Sequence, residues 1–294
     1  MDLPCALLWS SIPVCIFGFI GNVLVIQIVY KSRVMHTPTN FLLVNMAVSD
    51  VIAILLFLIH DLTTYLLHEH IGENLLNIAC KSIAIITTSA MVSSITLVVL
   101  SVERYNALLK PFNNGLRLNE DNIKKAIVFI WITSALLSLP NFFLETWSDA
   151  YSTCSGPFNY DESRTSRIYL LVYAAIFYIQ ATIMFFCYGS LIRGLYFTNT
   201  VCPETDGERR SEKRKLVVTF LLASVGFLIG YGPGIILATL VASQHGENVD
   251  FDTYYVLLKV VEFLFGCSLC LNPIFYAFRS ERFKDGFKRV LGCR

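Results

Sequence analysis

Seven apolar runs account for most of this chain, at about residues 8–30, 40–66, 78–102, 126–144, 168–192, 216–242 and 254–278. Roughly 20 apolar residues in an α-helix cross the ~30 Å hydrocarbon layer of a bilayer, and every run is long enough to do so. In lipid a helix satisfies its backbone N–H and C=O groups within its own segment, so these runs are expected to be spanning helices. Composition agrees: 55% of the chain is apolar and 15% is charged, whereas soluble chains average about 25% charged. A fold in water is excluded. A net charge of +1 offers nothing for nucleic acid, and 13% aromatic residues argue against disorder. The polar stretches between the runs are too short to fold alone, and no repeat or low-complexity tract divides the chain. The expectation is an all-α membrane protein, one domain over residues 1–294.

The first run is not read as a cleaved signal peptide. Residues 1–11 carry no positive region, and the run continues through Asn22 to Tyr30 before Lys31 and Arg33. Assigning alternate connections to opposite sides puts nineteen of the 23 Lys and Arg residues on one side, against Lys81, Arg164, Arg167 and Lys259 on the other. The positive-inside rule then predicts the N-terminus outside and the C-terminus in the cytoplasm.

Polar residues recur inside the runs where hydropathy disfavours them. They are Asn22 after Gly21, Asp50 closing Asn45-Met46-Ala47-Val48-Ser49-Asp50, Glu103-Arg104-Tyr105 ending the third run, Trp131 in the fourth, Pro233 in the sixth, and Asn272-Pro273-Ile274-Phe275-Tyr276 ending the seventh. An intramembrane carboxylate is costly and marks a candidate functional site. Candidate partners for Asp50 are Asn22, Ser93, Ser268 and Asn272.

In this order, one to a helix, these motifs resemble those of the rhodopsin-like (class A) G-protein-coupled receptors, over about residues 8–290. The resemblance implies a seven-transmembrane helix bundle in the plasma membrane, with a ligand cavity at the outer face and a cleft for a heterotrimeric G protein at the cytoplasmic face. No catalytic residues are implied. Glu103, Arg104 and Tyr105 correspond to a switch in which the acid holds the arginine at rest; a snorkelling arginine at the membrane edge is the alternative. Tyr188 and Tyr276 correspond to two tyrosines that meet on activation, beside Asn272 and Pro273. Asp50, Ser93, Ser268 and Asn272 correspond to a pocket that can hold a sodium ion as an allosteric cofactor, the alternative being a hydrogen-bond network without an ion. Cys80 and Cys154 correspond to the disulfide that ties the third helix to the second outer loop. Because Cys80 lies one residue nearer Arg104 than the family spacing, a shift of helix register near Ala84 to Thr88 is expected. About residues 280–290 form an amphipathic interfacial helix on the membrane lipid, with Cys293 beyond it as a palmitoylation candidate or an unmodified thiol.

Several positions depart from the family pattern. Glu212-Lys213 stands where the sixth helix usually offers Arg104 an acid, and Gln180 stands in place of a proline. Tyr231, in Gly230-Tyr231-Gly232-Pro233, occupies the toggle position, and the extra glycine is expected to loosen that helix. No acid lies in Ile83 to Thr87, where amine receptors place one, and the motifs look most like those of peptide-type receptors. The predicted outer half has twelve acids against four bases, a field that draws cations. Within it Asp61, Tyr65, Thr87, Tyr231 and Glu262 are expected to line the cavity and bind a peptide or other cationic ligand, with Lys259 paired to Glu262 while the cavity is empty. Two other classes are weighed. A transporter would show repeat symmetry or paired half-helices, which are missing, and an opsin needs a lysine where this chain has Gly266.

Overall fold

The computed structural model describes residues 3–110, 118–150, 152–157, 163–197, 207–243, 251–279 and 281–290. Among them run eight α-helices: α1 (Leu3–Lys31), α2 (Pro38–Asp61), α3 (Glu73–Leu109), α4 (Glu120–Leu144), α5 (Arg164–Tyr196), α6 (Gly207–Ala242), α7 (Phe251–Arg279) and α8 (Glu281–Val290). The first seven contain spans long and apolar enough to cross a membrane. A 3-10 turn, Arg33–Met35, joins α1 to α2, and a π-helical turn, Leu62–Leu66, follows α2. Two short strands, β1 (Thr146–Ser148) and β2 (Thr153–Ser155), form an antiparallel hairpin with Trp147 opposite Cys154.

Three helix starts follow from local chemistry. The first N–H groups of a helix lack intrahelical partners, and a side-chain oxygen just before the helix supplies one. Thr37 accepts from Asn40 N ahead of Pro38, Asn119 from Asn122 N, and Ser163 from Ser166 N. Pro38 at the first helical position loses no bond, because its N–H would be unpaired there anyway.

Burial is inverted relative to a soluble protein. Phe185 (82% exposed), Phe143 and Phe17 point outward, while Asn45, Ser49, Asp50, Ser93 and Thr96 lie inside. That arrangement is stable only where lipid covers the outer face, because apolar contact between helices then has little advantage over contact with acyl chains. Small residues and polar bonds hold the helices instead. At Gly18 a Cβ would lie 2.3 Å from Cys270 Sγ, so glycine sets the approach of α1 to α7. Helix α3 packs against α2, α4, α5 and α6 and forms the axis of the bundle, while α1 and α6 flank α7.

Three expectations are corrected. The expected register shift near Ala84 to Thr88 is missing: α3 is α-helical throughout, and the irregular turn lies instead after α2. The polar stretch between the fourth and fifth runs, expected to be too short to fold alone, contains the hairpin. Helices α1 and α3 begin at Leu3 and Glu73, earlier than the apolar runs, because α3 opens with Glu73, Asn74 and Asn77, polar residues that hydropathy does not count.

Candidate functional site

Cys80 in the second turn of α3 is bonded to Cys154 of β2, with Cα atoms 5.5 Å apart. The crosslink pins the hairpin over one end of the bundle, and Trp147 N adds a bond to Asn77 Oδ1 of 2.8 Å. Beneath the hairpin a cavity of about 170 Å³ opens between α2, α3, α5, α6 and α7. Its wall is mainly apolar, with Ile83, Ile86, Leu170, Ile235 and Phe265, and its polar atoms come from His60, Thr87, Tyr173, Tyr231, Tyr254 and Glu262.

Of the five expected ligand residues, Thr87, Tyr231 and Glu262 line this cavity. Asp61 does not, and the expectation that it faces this space is corrected. It is buried in an adjoining crevice with Ser11, Phe57, Lys259, Glu262 and Phe263. The cause is helical phase: Phe57 and His60 occupy the α2 face that borders the cavity, and Asp61, one position on, turns toward α1 and α7. The side chain of Tyr65 lies outside the described residues. Lys259 Nζ donates to Glu262 Oε2 one turn along α7, so the two residues expected to pair are in contact. His60, Tyr173 and Tyr254 were not singled out from sequence, since His60 and both tyrosines fit a membrane helix without any function.

Aromatic rings close the floor. Tyr231 lies 4.2 Å from Phe227, and Phe227 lies 5.7 Å from Phe177 of α5. Phe265 of α7 meets Tyr231 edge-on at 5.0 Å. Helix α6 continues through Pro233; a Cβ at Gly232, the glycine beside that proline, would meet nothing within 4 Å, whereas one at residue 230 would lie 2.3 Å from Ser268 Cβ. Gly230 is a contact surface for α7.

One layer further in, Asp50 is 1% exposed. Its Oδ1 accepts from Ser93 Oγ at 2.8 Å and its Oδ2 from Asn272 Nδ2 at 3.0 Å, so both donors are neutral. Ser49 Oγ, not among the expected partners of Asp50, lies 2.7 Å from Ser93 Oγ. Two expected partners bond elsewhere. Asn22 Nδ2 donates to the carbonyls of Gly18 and Leu269, and Ser268 Oγ donates to Phe265 O. A second polar relay joins three helices, with Trp131 Nε1 donating to Asn45 Oδ1 at 2.8 Å and Asn45 Nδ2 to Thr96 Oγ1 at 2.9 Å.

At the opposite end of α3, Arg104 Nε donates to Glu103 Oε2 at 2.5 Å. Its Nη2 donates to Thr39 Oγ1 at the start of α2, and its guanidinium lies 5.8 Å from the ring centre of Phe220 on α6. Thr39 and Phe220 are therefore cross-helix contacts of Arg104; the side chains of Glu212 and Lys213 lie outside the described residues. Tyr105 packs on Phe186 at 5.9 Å. Tyr188 is buried, with its hydroxyl facing Ser224 of α6. Tyr276's side chain and the whole of Cys293 fall outside the described residues. Helix α8 carries Phe283 inward and Lys284, Lys288 and Arg289 outward.

Comparison with known proteins agrees with this architecture. The sequence profile of the family described as 7 transmembrane receptor (rhodopsin family) matches residues 21–276. The chain is 26% identical to galanin receptor 2a of Danio rerio over 94% of its own length and 75% of the relative's. It is also 26% identical to neuromedin-U receptor 1 of Rattus norvegicus, with 96% and 73% covered, and 26% identical to rhodopsin of Sminthopsis crassicaudata, with 95% and 79% covered.

Proposed function

Because this chain belongs to the rhodopsin family of seven-transmembrane receptors, we propose that it binds an extracellular ligand beneath the hairpin and activates a heterotrimeric G protein at the Arg104 end. The observation that carries this reading is the geometry of α6. Tyr231 forms the cavity floor and Phe220 lies over Arg104 on the same helix. Eleven residues at 1.5 Å each separate them by about 16 Å. A ligand that displaces Tyr231 therefore moves a helix whose other end holds the arginine in place. Release of Arg104 from Glu103, Thr39 and Phe220 would present five N–H donors to a partner helix. The protein acts by changing shape.

The positive-inside count supports an outward N-terminus, and a plasma-membrane location goes with the receptor reading. A peptide or other cationic ligand is supported by the relatives named as galanin and neuromedin-U receptors. It is also supported by Glu262, the one carboxylate on the cavity wall among the described residues. A cationic group that reaches Glu262 would replace Lys259 as its partner. The resemblance to rhodopsins does not extend to chromophore chemistry, since Gly266 stands at the lysine position and Lys259 is engaged with Glu262. Asp50, Ser93, Asn272 and Ser49 would hold a sodium ion, with the one full negative charge needed to offset it.

Screening a library of cationic peptides with a second-messenger readout tests this reading. The active peptides should lose potency on Glu262→Gln, while an activating ligand that is anionic, or potency unchanged in the variant, would contradict the assignment of the site.

A further inference from the structure

Where α8 returns along the membrane surface it packs tightly on α1. A Cβ at Gly286 would lie 2.5 Å from Ile28 Cγ2. That approach closes one side of a second cavity, of about 520 Å³, between the end of α1, the 3-10 turn and α8. Its apolar wall includes Ile28 and Met35, both buried, and Val34, which is 74% exposed. The polar wall is Lys31, Ser32, Asp285 and Arg289. Ser32 precedes the 3-10 turn, yet its hydroxyl makes no cap bond to it.

An apolar floor with a charged mouth at the membrane surface fits an amphipathic occupant, and phospholipids are the amphiphiles in excess there. The charges select among headgroups. Lys31 and Arg289 supply two positive charges, and a guanidinium binds phosphate through two parallel N–H bonds. Basic groups at a membrane surface attract anionic lipids. Asp285, on the same wall, repels a headgroup that carries only negative charge and favours one that also carries an ammonium. We infer that the α1–α8 cavity binds an aminophospholipid of the phosphatidylserine type. Lys31 and Arg289 take its phosphate and carboxylate, Asp285 takes its ammonium, and an acyl chain lies along Ile28 and Val34. This site is separate from the ligand cavity and independent of which ligand or G protein the receptor uses.

Native mass spectrometry of the full chain released from phosphatidylcholine nanodiscs tests it, with phosphatidylserine and phosphatidylglycerol present in equal amounts. One charge pair at a membrane surface is worth about fivefold in binding, so the wild type should retain phosphatidylserine over phosphatidylglycerol by about that factor. Lys31→Gln with Arg289→Gln should lose both anionic lipids, and Asp285→Asn should retain both equally. Lys124→Gln with Lys125→Gln, which removes the same charge from exposed positions on α4, should match the wild type. Lys31, Asp285 and Arg289 are also exposed, so the substitutions leave the packed bundle intact. Equal retention of the two anionic lipids by the wild type, retention of neither, or equal losses in both double variants would overturn the assignment.

Discussion

Alanine at Gly230 should destabilise the bundle, although in an isolated helix the same change would stabilise. Glycine costs a helix interior about 1 kcal/mol relative to alanine, so propensity alone favours Gly230→Ala by that amount. Against it stands the contact with α7. The added Cβ would lie 2.3 Å from Ser268 Cβ and 3.2 Å from Leu264 O, whereas carbon atoms in contact sit about 3.5–4.0 Å apart. Neither neighbour is the end of a flexible side chain, so α6 or α7 must shift by roughly 1 Å. Overpacking of this kind costs about 1–3 kcal/mol; less the ~1 kcal/mol of propensity, and at about 2–4 °C per kcal/mol, the melting temperature should fall by up to about 8 °C. Gly232 is the internal control, since a Cβ there meets nothing within 4 Å; Gly232→Ala should leave the melting temperature unchanged or raise it. A thiol-reactive fluorophore reads the melt directly, because Cys15, Cys187 and Cys270 are buried in the folded state. Ser268→Gly should recover stability in the Gly230→Ala background, which isolates the pairwise clash from the two single changes. If Gly230→Ala melts at or above the wild-type temperature, the packing argument fails and the glycine is there for flexibility.

Other consequences follow from the same contacts. Cys154→Ser opens a crosslink between residues 74 apart in sequence, which the loop-entropy relation values at about 4 kcal/mol; surface expression and melting temperature should both drop, and no change in either would count against a structural role. Asp50→Asn removes the only full charge of its polar cluster, so sodium-dependent stabilisation of the purified wild type should vanish in the variant. Persistence of that effect would place any sodium elsewhere. Thr39→Val deletes one acceptor of Arg104 while keeping the shape of the side chain, and should raise ligand-independent G-protein activation above wild type; basal activity equal to or below wild type would mean that Thr39 does not restrain the arginine.

The spans were legible because a bilayer imposes a length and an apolar composition that few other contexts tolerate. The disulfide was legible through the resemblance, since the motifs in the flanking helices fix which cysteines share a face of the bundle. What escaped detection has physical reasons. Strands of three residues, as in β1 and β2, are too short to display a two-residue period. The phase of Asp61 depends on how α2 is rotated against α1 and α7, which only the packed helices fix. Thr39 and Phe220 approach Arg104 from helices distant in sequence, and as single residues they are ordinary members of their segments. Gly230 proves to be a packing point only when Ser268 is seen opposite, a contact with a helix distant in sequence.

Purified chain reconstituted in lipid with a heterotrimeric G protein provides the most direct test of the central claim, with nucleotide exchange followed for wild type and Arg104→Ala. The account predicts that the wild type accelerates exchange and that Arg104→Ala, folded and inserted with its Cys80–Cys154 bond intact, does not. Exchange by Arg104→Ala at the wild-type rate would contradict it.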